Sequence, residues 1–358
     1  MRPPPPARSD ITYRQFGEQW TSGALHLLHP DHVKAGDHTD NRTRLANYVY
    51  PVVGDIPLKD LRLDDLDKIF KQPNLPAGSR RHIALVARRV LSLAVYPGMR
   101  IPEVPVPQGW LPNPSPKKQK SFLYPSEDLA LMRTTSIPLV VRMLIGILGR
   151  EGLGKEEAAN LEWGDLELDS AGGAGVITLA ENKTDDPRAW VLDEGSVDAL
   201  RRWKKVVGNS RWVFPAALVS KRKKPEGHVY VDHLSRELRD GLVEAGVTRP
   251  ALLAHDSKRQ RLRAHDLRAT FVTLSLASGH SAAWVQARTG HTLSAMIARY
   301  RREPRLAIEA RLGWLHPLHL AIPELTALGD DERESSDQTS GAAEDDAGGD
   351  DPRRANAA

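Results

Sequence analysis

The chain has 358 residues and a net charge of +4; its hydrophobic fraction of 40% and charged fraction of 27% are typical of globular proteins, and its length predicts two or three domains. It contains no cysteine, which excludes disulfides, cysteine-ligated metal centres and thiol catalysis. The longest apolar stretch is too short for a membrane span, and the N-terminus lacks the apolar segment of a signal peptide, so we expect a cytoplasmic protein.

The positive charge is unevenly distributed. Residues 330–358 contain ten acidic residues and three arginines, a net charge of −7, so the preceding part of the chain carries +11. A body this basic favours a polyanionic partner, and nucleic acid is the commonest one, although charge that serves only solubility would look the same.

The first hundred residues are predicted to be helical. Residues 1–10 are proline-rich and predicted to be disordered, whereas residues 11–100 show no strand pattern and predict a small helical domain. Residues 51–55 predict a turn within it. The clearest helix is Ser79–Tyr96, with one apolar face and one face that carries Arg80, Arg81, Arg88 and Arg89.

A linker is predicted at residues 101–120. This segment is rich in proline and ends in a basic cluster, Lys117, Lys118 and Lys120. Proline-rich segments are semi-rigid and extended, so we expect a domain boundary here.

Residues 121–318 combine helices with a little β structure. Two strand patterns, Val176–Ala180 and Ala189–Leu192, flank a turn at Lys183–Arg188 and predict a β-hairpin. The predicted helices are Ser126–Arg133, Ile137–Leu148, Lys155–Trp163, Arg263–Ser278 and Ser281–Arg288, the last ending at Gly290. Residues 325–358 have an acidic, small-residue composition that predicts a disordered tail.

Two local patterns carry little chemical information. Gly149–Glu156 fits the phosphate-binding pattern G-x-x-x-x-G-K, but Glu156 stands where Ser or Thr would hold magnesium, so a P-loop-like nucleotide binder is a distant alternative. Four histidines between residues 26 and 38 have the side chains for a metal site, but Pro30 interrupts the helix that would align them. We expect a solvated loop and no metal there.

A third pattern supplies all the groups of one reaction. It consists of His265-Asp-Leu-Arg268, then Gly290-His291, then Tyr300. Phosphodiester transfer without a metal needs a nucleophile, cations for the non-bridging oxygens and an acid for the leaving oxygen. Tyrosine can attack phosphorus, arginine can neutralise the oxygens, and histidine can move protons.

This pattern resembles the tyrosine recombinase, or phage integrase, family, in which H-x-x-R is followed by G-H and then by a tyrosine nine residues after that histidine. Here Arg268 and His291 are 23 residues apart, and His291 and Tyr300 are nine apart. The resemblance extends over residues 11 to about 318. It implies a mainly α fold with a small β-hairpin, made of an N-terminal helical core-binding (SAM-like) domain and an α+β catalytic domain.

The resemblance also implies what the residues do. Tyr300 would form a 3′-phosphotyrosine link to DNA, with Arg268, His265 and His291 around the phosphate and Lys183 of the hairpin turn as the general acid. The partner would be double-stranded DNA, bound by a homotetramer on paired sites, with no cofactor and no metal. The basic residues expected to contact DNA are Arg80, Arg81, Arg88, Arg89, Lys117, Lys118, Lys120, Arg259 and Arg261.

One position departs from the family pattern. The family has a further catalytic arginine in a G-L-R-x-x-E segment, and here the corresponding residues run from Gly152 to Glu157 with Gly154 in place of the arginine. Glycine cannot neutralise a phosphate oxygen, and loss of one such group typically costs about 10²–10³ in rate. Arg150 and Lys155 are the candidates to replace it.

Two hypotheses follow from this departure. The first is an active recombinase that cuts and rejoins DNA for recombination or integration. The second is a DNA-binding protein with the recombinase fold and impaired cleavage: a regulator, an accessory or a mobile-element remnant. We further expect the segment after Tyr300 to form a helix that packs on a neighbouring protomer, so that deletion from Arg301 onward would leave monomer folding intact.

Overall fold

The computed structural model describes residues 10–36, 38–73, 75, 77–114, 118, 121–170, 172–180, 187–218, 227–228, 233–290 and 302–329. The chain divides into two compact units, Met1–Lys117 and Lys118–Ala358. Within the described part, no helix is both long and apolar enough to cross a membrane.

The N-terminal unit is built from short helices. They are α1 (Tyr13–Thr21), α2 (Ala24–Leu28), α3 (Thr39–Arg44), α4 (Tyr50–Val53), α5 (Leu63–Asp67) and α6 (Arg80–Val95). A π-helical segment, Leu45–Val49, joins α3 to α4. Thr12 starts α1 through a reciprocal cap, because its hydroxyl accepts from the Gln15 N–H while the Gln15 side chain accepts from the Thr12 N–H.

Helix α6 supplies much of the core of this unit. Ile83, Val90 and Leu91 on its apolar face are fully buried, and burial of each such side chain contributes about 1.5–3 kcal/mol. The Tyr13 hydroxyl donates to the Ala87 carbonyl at 3.0 Å, which ties α1 to the same helix. The apolar stripe predicted for Ser79–Tyr96 therefore faces the core.

The turn predicted at residues 51–55 is wrong for its first three residues. Pro51 lies in the first turn of α4, and the helix continues to Val53. Proline is tolerated there because the first N–H groups of a helix have no intrahelical acceptor.

The C-terminal unit surrounds one buried helix. Its helices are α7 (Pro125–Arg133), α8 (Leu139–Glu151), α9 (Lys155–Ala159), α10 (Glu194–Val207), α11 (Leu234–Glu244), α12 (Pro250–Leu253), α13 (Leu267–Ala277), α14 (Ala282–Thr289), α15 (Arg302–Glu309) and α16 (Leu318–Ala321). All residues of α8 from Val140 to Glu151 are buried, and α13 packs against it. Gly152, at φ +69°, ends α8 beside the Phe271 ring, which leaves no room for a Cβ.

A small antiparallel sheet completes the C-terminal unit. Its strands β1 (Leu166–Glu167), β2 (Val176–Leu179) and β3 (Arg188–Val191) lie in the order β1-β2-β3. The sequence did not predict β1, because two residues are too few to show an alternating pattern. The predicted turn included Arg188, but this residue begins β3, pairs with Leu179 and is buried on the same face as Trp190.

The segment after the candidate nucleophile packs within its own chain. Helix α15 lies against α13, and Ala307 is buried with Leu274 and Leu315. Farther along, Leu318 and Ile322 belong to the main core of the unit. The expectation that deletion from Arg301 onward leaves the monomer folded is therefore wrong, since that deletion removes part of the core.

The predicted acidic tail begins too early. Residues 323–329 are helical, and Leu325 is fully buried in the core. Glu324 forms a charge-assisted hydrogen bond to the buried Arg142 of α8 at 2.9 Å, and Arg202 donates to the Leu325 carbonyl at 2.8 Å. Apolar residues at the spacing of one helix face do occur here, but the acidic composition of the residues that follow them led to the prediction of disorder.

Candidate active site

Two acceptors hold Arg268 near the start of α13. Its Nη1 donates at 2.7 Å to the Thr289 carbonyl at the end of α14, and its Nη2 donates at 2.7 Å to Glu157 Oε2. The side chain is 12% exposed, so the guanidinium is largely desolvated. A fixed, partly desolvated cation is suited to stabilise charge on a phosphate.

Glu157 of α9 connects Arg268 to Gly154 and to Arg188. Its Oε2 also accepts from the Gly154 N–H at 2.7 Å, and its Oε1 accepts from Arg188 Nη2 at 2.6 Å. A Cβ at Gly154 would lie 3.0 Å from Arg268 Nη2. The position at which the family pattern has an arginine therefore borders Arg268 directly.

Arg188 brings a second guanidinium to the same carboxylate from β3. It is 7% exposed, and its Nη1 donates at 2.5 Å to the Arg288 carbonyl, next to the carbonyl that Arg268 contacts. Carbonyls at the end of a helix carry partial negative charge and favour such cations. Gly290 ends α14 at φ +63°, and a Cβ there would lie 3.0 Å from Arg188 Cζ, so this turn fits closely around the guanidinium.

Of the other predicted catalytic residues, only His265 lies in the described part of the chain. His265 is exposed and lies in the 3-10 turn Ala264–Asp266, one turn before Arg268. The predicted helix Arg263–Ser278 begins with this turn, and α-helical geometry starts at Leu267. The residues outside the described part of the chain are Lys183, His291 and Tyr300.

Arg150 does not replace the missing arginine, contrary to our expectation. Its fully buried side chain donates to Asp128 Oδ2 at 2.7 Å and to the His316 carbonyl at 3.0 Å from Nε. These bonds hold α8 to α7 and to the C-terminal segment. This guanidinium has no exposed surface and bonds to Asp128 and His316 rather than to Glu157, so its role is structural, and removing it would leave the buried Asp128 carboxylate unpaired.

Lys155, the other candidate, starts α9 and pairs with Glu156 at 2.9 Å.

The position of Gly149–Glu156 in the fold argues against a nucleotide-binding loop. Gly149 is an internal residue of α8, whereas a phosphate-binding loop of that pattern follows a strand.

The histidines of the N-terminal unit do not converge. His26, which lies in α2 rather than in a loop, has its Nδ1 2.5 Å from the Val33 carbonyl, and His32 Nε2 lies 2.8 Å from the Tyr96 hydroxyl. Among the residues that the structure describes, no group of three potential metal ligands comes together.

The basic residues expected to contact DNA differ in exposure. Arg80, Arg89, Arg259 and Arg261 are exposed, and Arg81 and Arg88 are half-buried. Arg81 donates to the Pro112 carbonyl, and Lys118 donates to the Asp256 carbonyl at 2.6 Å. Lys117 and Lys120 lie outside the described residues.

The sequence of residues 121–305, more than half of the chain, matches the profile of a known family and contains the whole candidate site. The chain belongs to the phage integrase family. Among proteins of curated function, none has a significantly similar sequence.

Solved structures of other phage integrases and recombinases share the fold of this family member. The Tn1549 transposon integrase in complex with transposon right end DNA has a TM-score of 0.58 at 16% identity, covering 84% of this chain and 99% of that chain. A lambda integrase dimer bound to a COC′ core site gives 0.57 at 17%, covering 79% and 94%. The XerH recombinase bound to difH gives 0.56 at 14%, covering 85% and 99%. The predicted fold class, mainly helical with a small antiparallel sheet, is confirmed.

Sequence reasoning missed Arg188 as a site residue of this integrase. Arg188, Trp190 and Leu192 occupy alternate positions in the sequence, and the last two are plainly apolar. In a strand, alternate residues share a face, so this pattern indicates an arginine on the inward face. The turn predicted at Lys183–Arg188 includes this residue, and the predicted strand therefore begins one residue too late.

Proposed function

We propose that this phage integrase carries out site-specific DNA recombination by cutting and rejoining strands through a 3′-phosphotyrosine at Tyr300. The observation that carries the proposal is the fixed position of Arg268, held by Glu157 and by the end of α14. The chain then continues from this end through Gly290-His291 to Tyr300 at the spacing of the family.

In the proposed reaction the Tyr300 hydroxyl attacks the scissile phosphorus and the bond to the 5′ oxygen breaks. Lys183 protonates the leaving oxygen, and Arg268, His265 and His291 stabilise the charge on the non-bridging oxygens. The reverse attack by a 5′ hydroxyl releases Tyr300 and rejoins a strand. The chemistry needs no cofactor, since the phosphotyrosine bond conserves the energy of the phosphodiester.

We assign double-stranded DNA as the partner of both units. Residues 11–100 would form the core-binding domain, 101–120 the linker and 121–318 the catalytic domain. Exposed Arg80 and Arg89 on α6 would bind phosphates of the backbone. A lambda integrase tetramer is known on a Holliday junction, and by family membership we propose a homotetramer on paired sites and a cytoplasmic location.

Covalent trapping tests this proposal. The protein is incubated with a randomised library of nicked duplexes, whose nick releases a short fragment and prevents rejoining, and adducts are separated on a denaturing gel. Wild type should yield a protein–DNA adduct. Tyr300→Phe, which removes only the hydroxyl, should bind the same duplexes and yield none.

The two hypotheses differ in the outcome. An adduct that persists in Tyr300→Phe contradicts the assigned nucleophile. DNA binding by wild type without an adduct, together with an adduct from Gly154→Arg, would instead indicate a DNA-binding protein impaired by its missing arginine.

A further inference from the structure

We propose that Arg188 supplies the phosphate-stabilising charge that Gly154 lacks, so that the second catalytic arginine of this protein comes from strand β3. This inference rests on the proposed function. It adds a catalytic residue at a position that the family pattern does not include.

The first argument is convergence on one carboxylate. Arg188 Nη2 and Arg268 Nη2 contact opposite oxygens of Glu157 at 2.6 and 2.7 Å. These contacts bring the two guanidinium groups to the two oxygens of one carboxylate. The three groups together carry a net charge of +1, which favours an anion.

The second argument concerns the space at Gly154. A Cβ there would point towards Arg268 Nη2, at 3.0 Å, and would lie 3.2 Å from Glu157 Oε2. An arginine at residue 154 would thus begin beside the carboxylate that Arg188 now binds. With glycine at residue 154, the second guanidinium at Glu157 comes from Arg188 on β3.

The third argument is the hydrogen bonding of the buried Arg188. A buried guanidinium is costly unless its N–H groups are bonded. Nη1 and Nη2 are bonded, but Nε is buried and has no hydrogen-bond partner among the described residues. This buried Nε–H is an unused donor beside Arg268, as expected of a site that an anion completes.

In the reaction Arg188 would form no covalent bond. As Tyr300 attacks and the 5′ oxygen leaves with a proton, negative charge grows on the non-bridging oxygens. Arg188 and Arg268 would each donate N–H bonds to these oxygens, so that the two guanidinium groups together stabilise the negative charge.

The test uses the duplex recovered by trapping with wild type, made with a phosphodiester or with a neutral methylphosphonate at the cut position. On the phosphodiester, Arg188→Ala and Arg188→Gln should reduce the adduct-formation rate by about 10²–10³. On the methylphosphonate, which carries no charge to neutralise, the deficit relative to wild type should shrink to less than about tenfold. Gly154→Arg added to Arg188→Ala should restore part of the rate on the phosphodiester.

A purely structural role for Arg188 predicts a different result. The deficit would then be equal on the two substrates, because a distorted site handles both poorly, and this outcome would overturn the proposal. Arg188→Gln retains an amide donor for the Arg288 carbonyl, so the test does not depend on the alanine variant folding. Arg211→Ala, an exposed arginine paired with Glu162, is the matched control and should cleave like wild type.

The two proposals fail in distinguishable ways. If wild type forms no adduct with any duplex, both fail. If wild type forms the Tyr300 adduct and the Arg188 variants form it equally fast, only the role of Arg188 is refuted.

Discussion

Glu157 determines where both arginines of the site point. Its carboxylate accepts from Arg188, from Arg268 and from the Gly154 N–H, so each oxygen is bonded to at least one positively polarised group. Hydrogen bonds to a charged group contribute about 1.5–3 kcal/mol each. These bonds hold Arg188 and Arg268 in place, and fixed positions of charged groups are what make electrostatic stabilisation efficient.

A second carboxyl group, that of Glu151, lies against strand β3 and has a raised pKa. Glu151, the last residue of α8, is fully buried, and burial raises its pKa to about 7 despite bonds from the Trp190 indole and the Asp193 N–H. Trp190 lies on β3 two residues after Arg188. The protonation of Glu151 thus affects the strand that carries the proposed catalytic arginine.

We predict that Glu151 makes the protein less stable as the pH rises from about 4.5 to 7. In this window the unfolded chain releases the proton while the folded chain keeps it, so the unfolded state gains stability. At about 1.4 kcal/mol per pKa unit, the free energy of unfolding should fall by about 3 kcal/mol across the window and then level off. Urea denaturation at a series of pH values measures this.

Glu151→Gln isolates that contribution. Glutamine cannot release a proton, so the decline between pH 4.5 and 7 should be smaller in the variant by the same amount. The absolute stability of the variant does not test the prediction. The glutamine amide has one oxygen in place of the two that accept from the Trp190 indole and the Asp193 N–H. Identical slopes in wild type and variant would contradict the assignment to Glu151.

At the scale of elements, the end of α14 is the point where the site is assembled. Two of its last carbonyls accept from Arg188 and Arg268, and Gly290 lets the chain turn away in the left-handed conformation. Helix α14 begins at Ser281, whose hydroxyl accepts from the Trp284 N–H at 3.1 Å. Both ends of this short helix are thus determined by local sequence, which is why its bounds could be predicted.

We predict that Gly290→Ala weakens catalysis more than it weakens the fold. Alanine in the left-handed conformation costs about 1–2 kcal/mol, and its Cβ would lie 3.0 Å from Arg188 Cζ and displace the guanidinium. Displacement of a catalytic group by about 1 Å can cost about 10² in rate. The trapping assay and thermal unfolding measure the two effects separately.

Gly246 provides a matched control for this substitution. It follows α11 with φ +76°, and no atom lies within 4 Å of a Cβ placed there. Gly246→Ala should therefore lose similar stability but keep the wild-type rate. Equal losses of rate in the two variants would mean that helix strain, and not contact with Arg188, is responsible.

Helices and motif spacing could be predicted from the sequence more accurately than the contacts that individual side chains make. The long helix α6 and the position of Arg268 follow from periodicity and from family spacing, both of which are local. Arg150 was assigned to the site because it is four residues before Gly154, but a helix that is buried all round turns that side chain to Asp128 instead. Arg188 reaches the site through sheet pairing, and contacts between distant segments leave no local signal.

At the scale of the whole molecule, charge is divided between a basic body and an acidic C-terminal segment. Residues 330–358 carry −7 and the rest of the chain +11. We predict that a stop codon after Gly329 tightens non-specific DNA binding by several-fold at low salt, because an internal competitor for the basic surface is removed. Leu325 and Leu328, which pack in the core, remain in this truncated chain.

A neutral replacement provides the control for the truncation. A chain in which residues 330–358 are exchanged for an uncharged Gly/Ser segment of equal length should bind like the truncated chain. Affinity measured by fluorescence anisotropy on a non-specific duplex would distinguish the cases. Equal affinity in wild type, truncated and neutral chains would refute a competing role for the acidic segment.

The helical segment at residues 318–329 also determines when the C-terminal unit can complete its folding during synthesis. Leu318, Ile322 and Leu325 fill the core of the C-terminal unit, and Glu324 bonds to the buried Arg142. The ribosome must release these residues before that core can close, whereas the N-terminal unit has all its core residues much earlier. A chain interrupted before residue 325 would therefore contain all core residues of the N-terminal unit but an incomplete core around Arg188, Glu157 and Arg268.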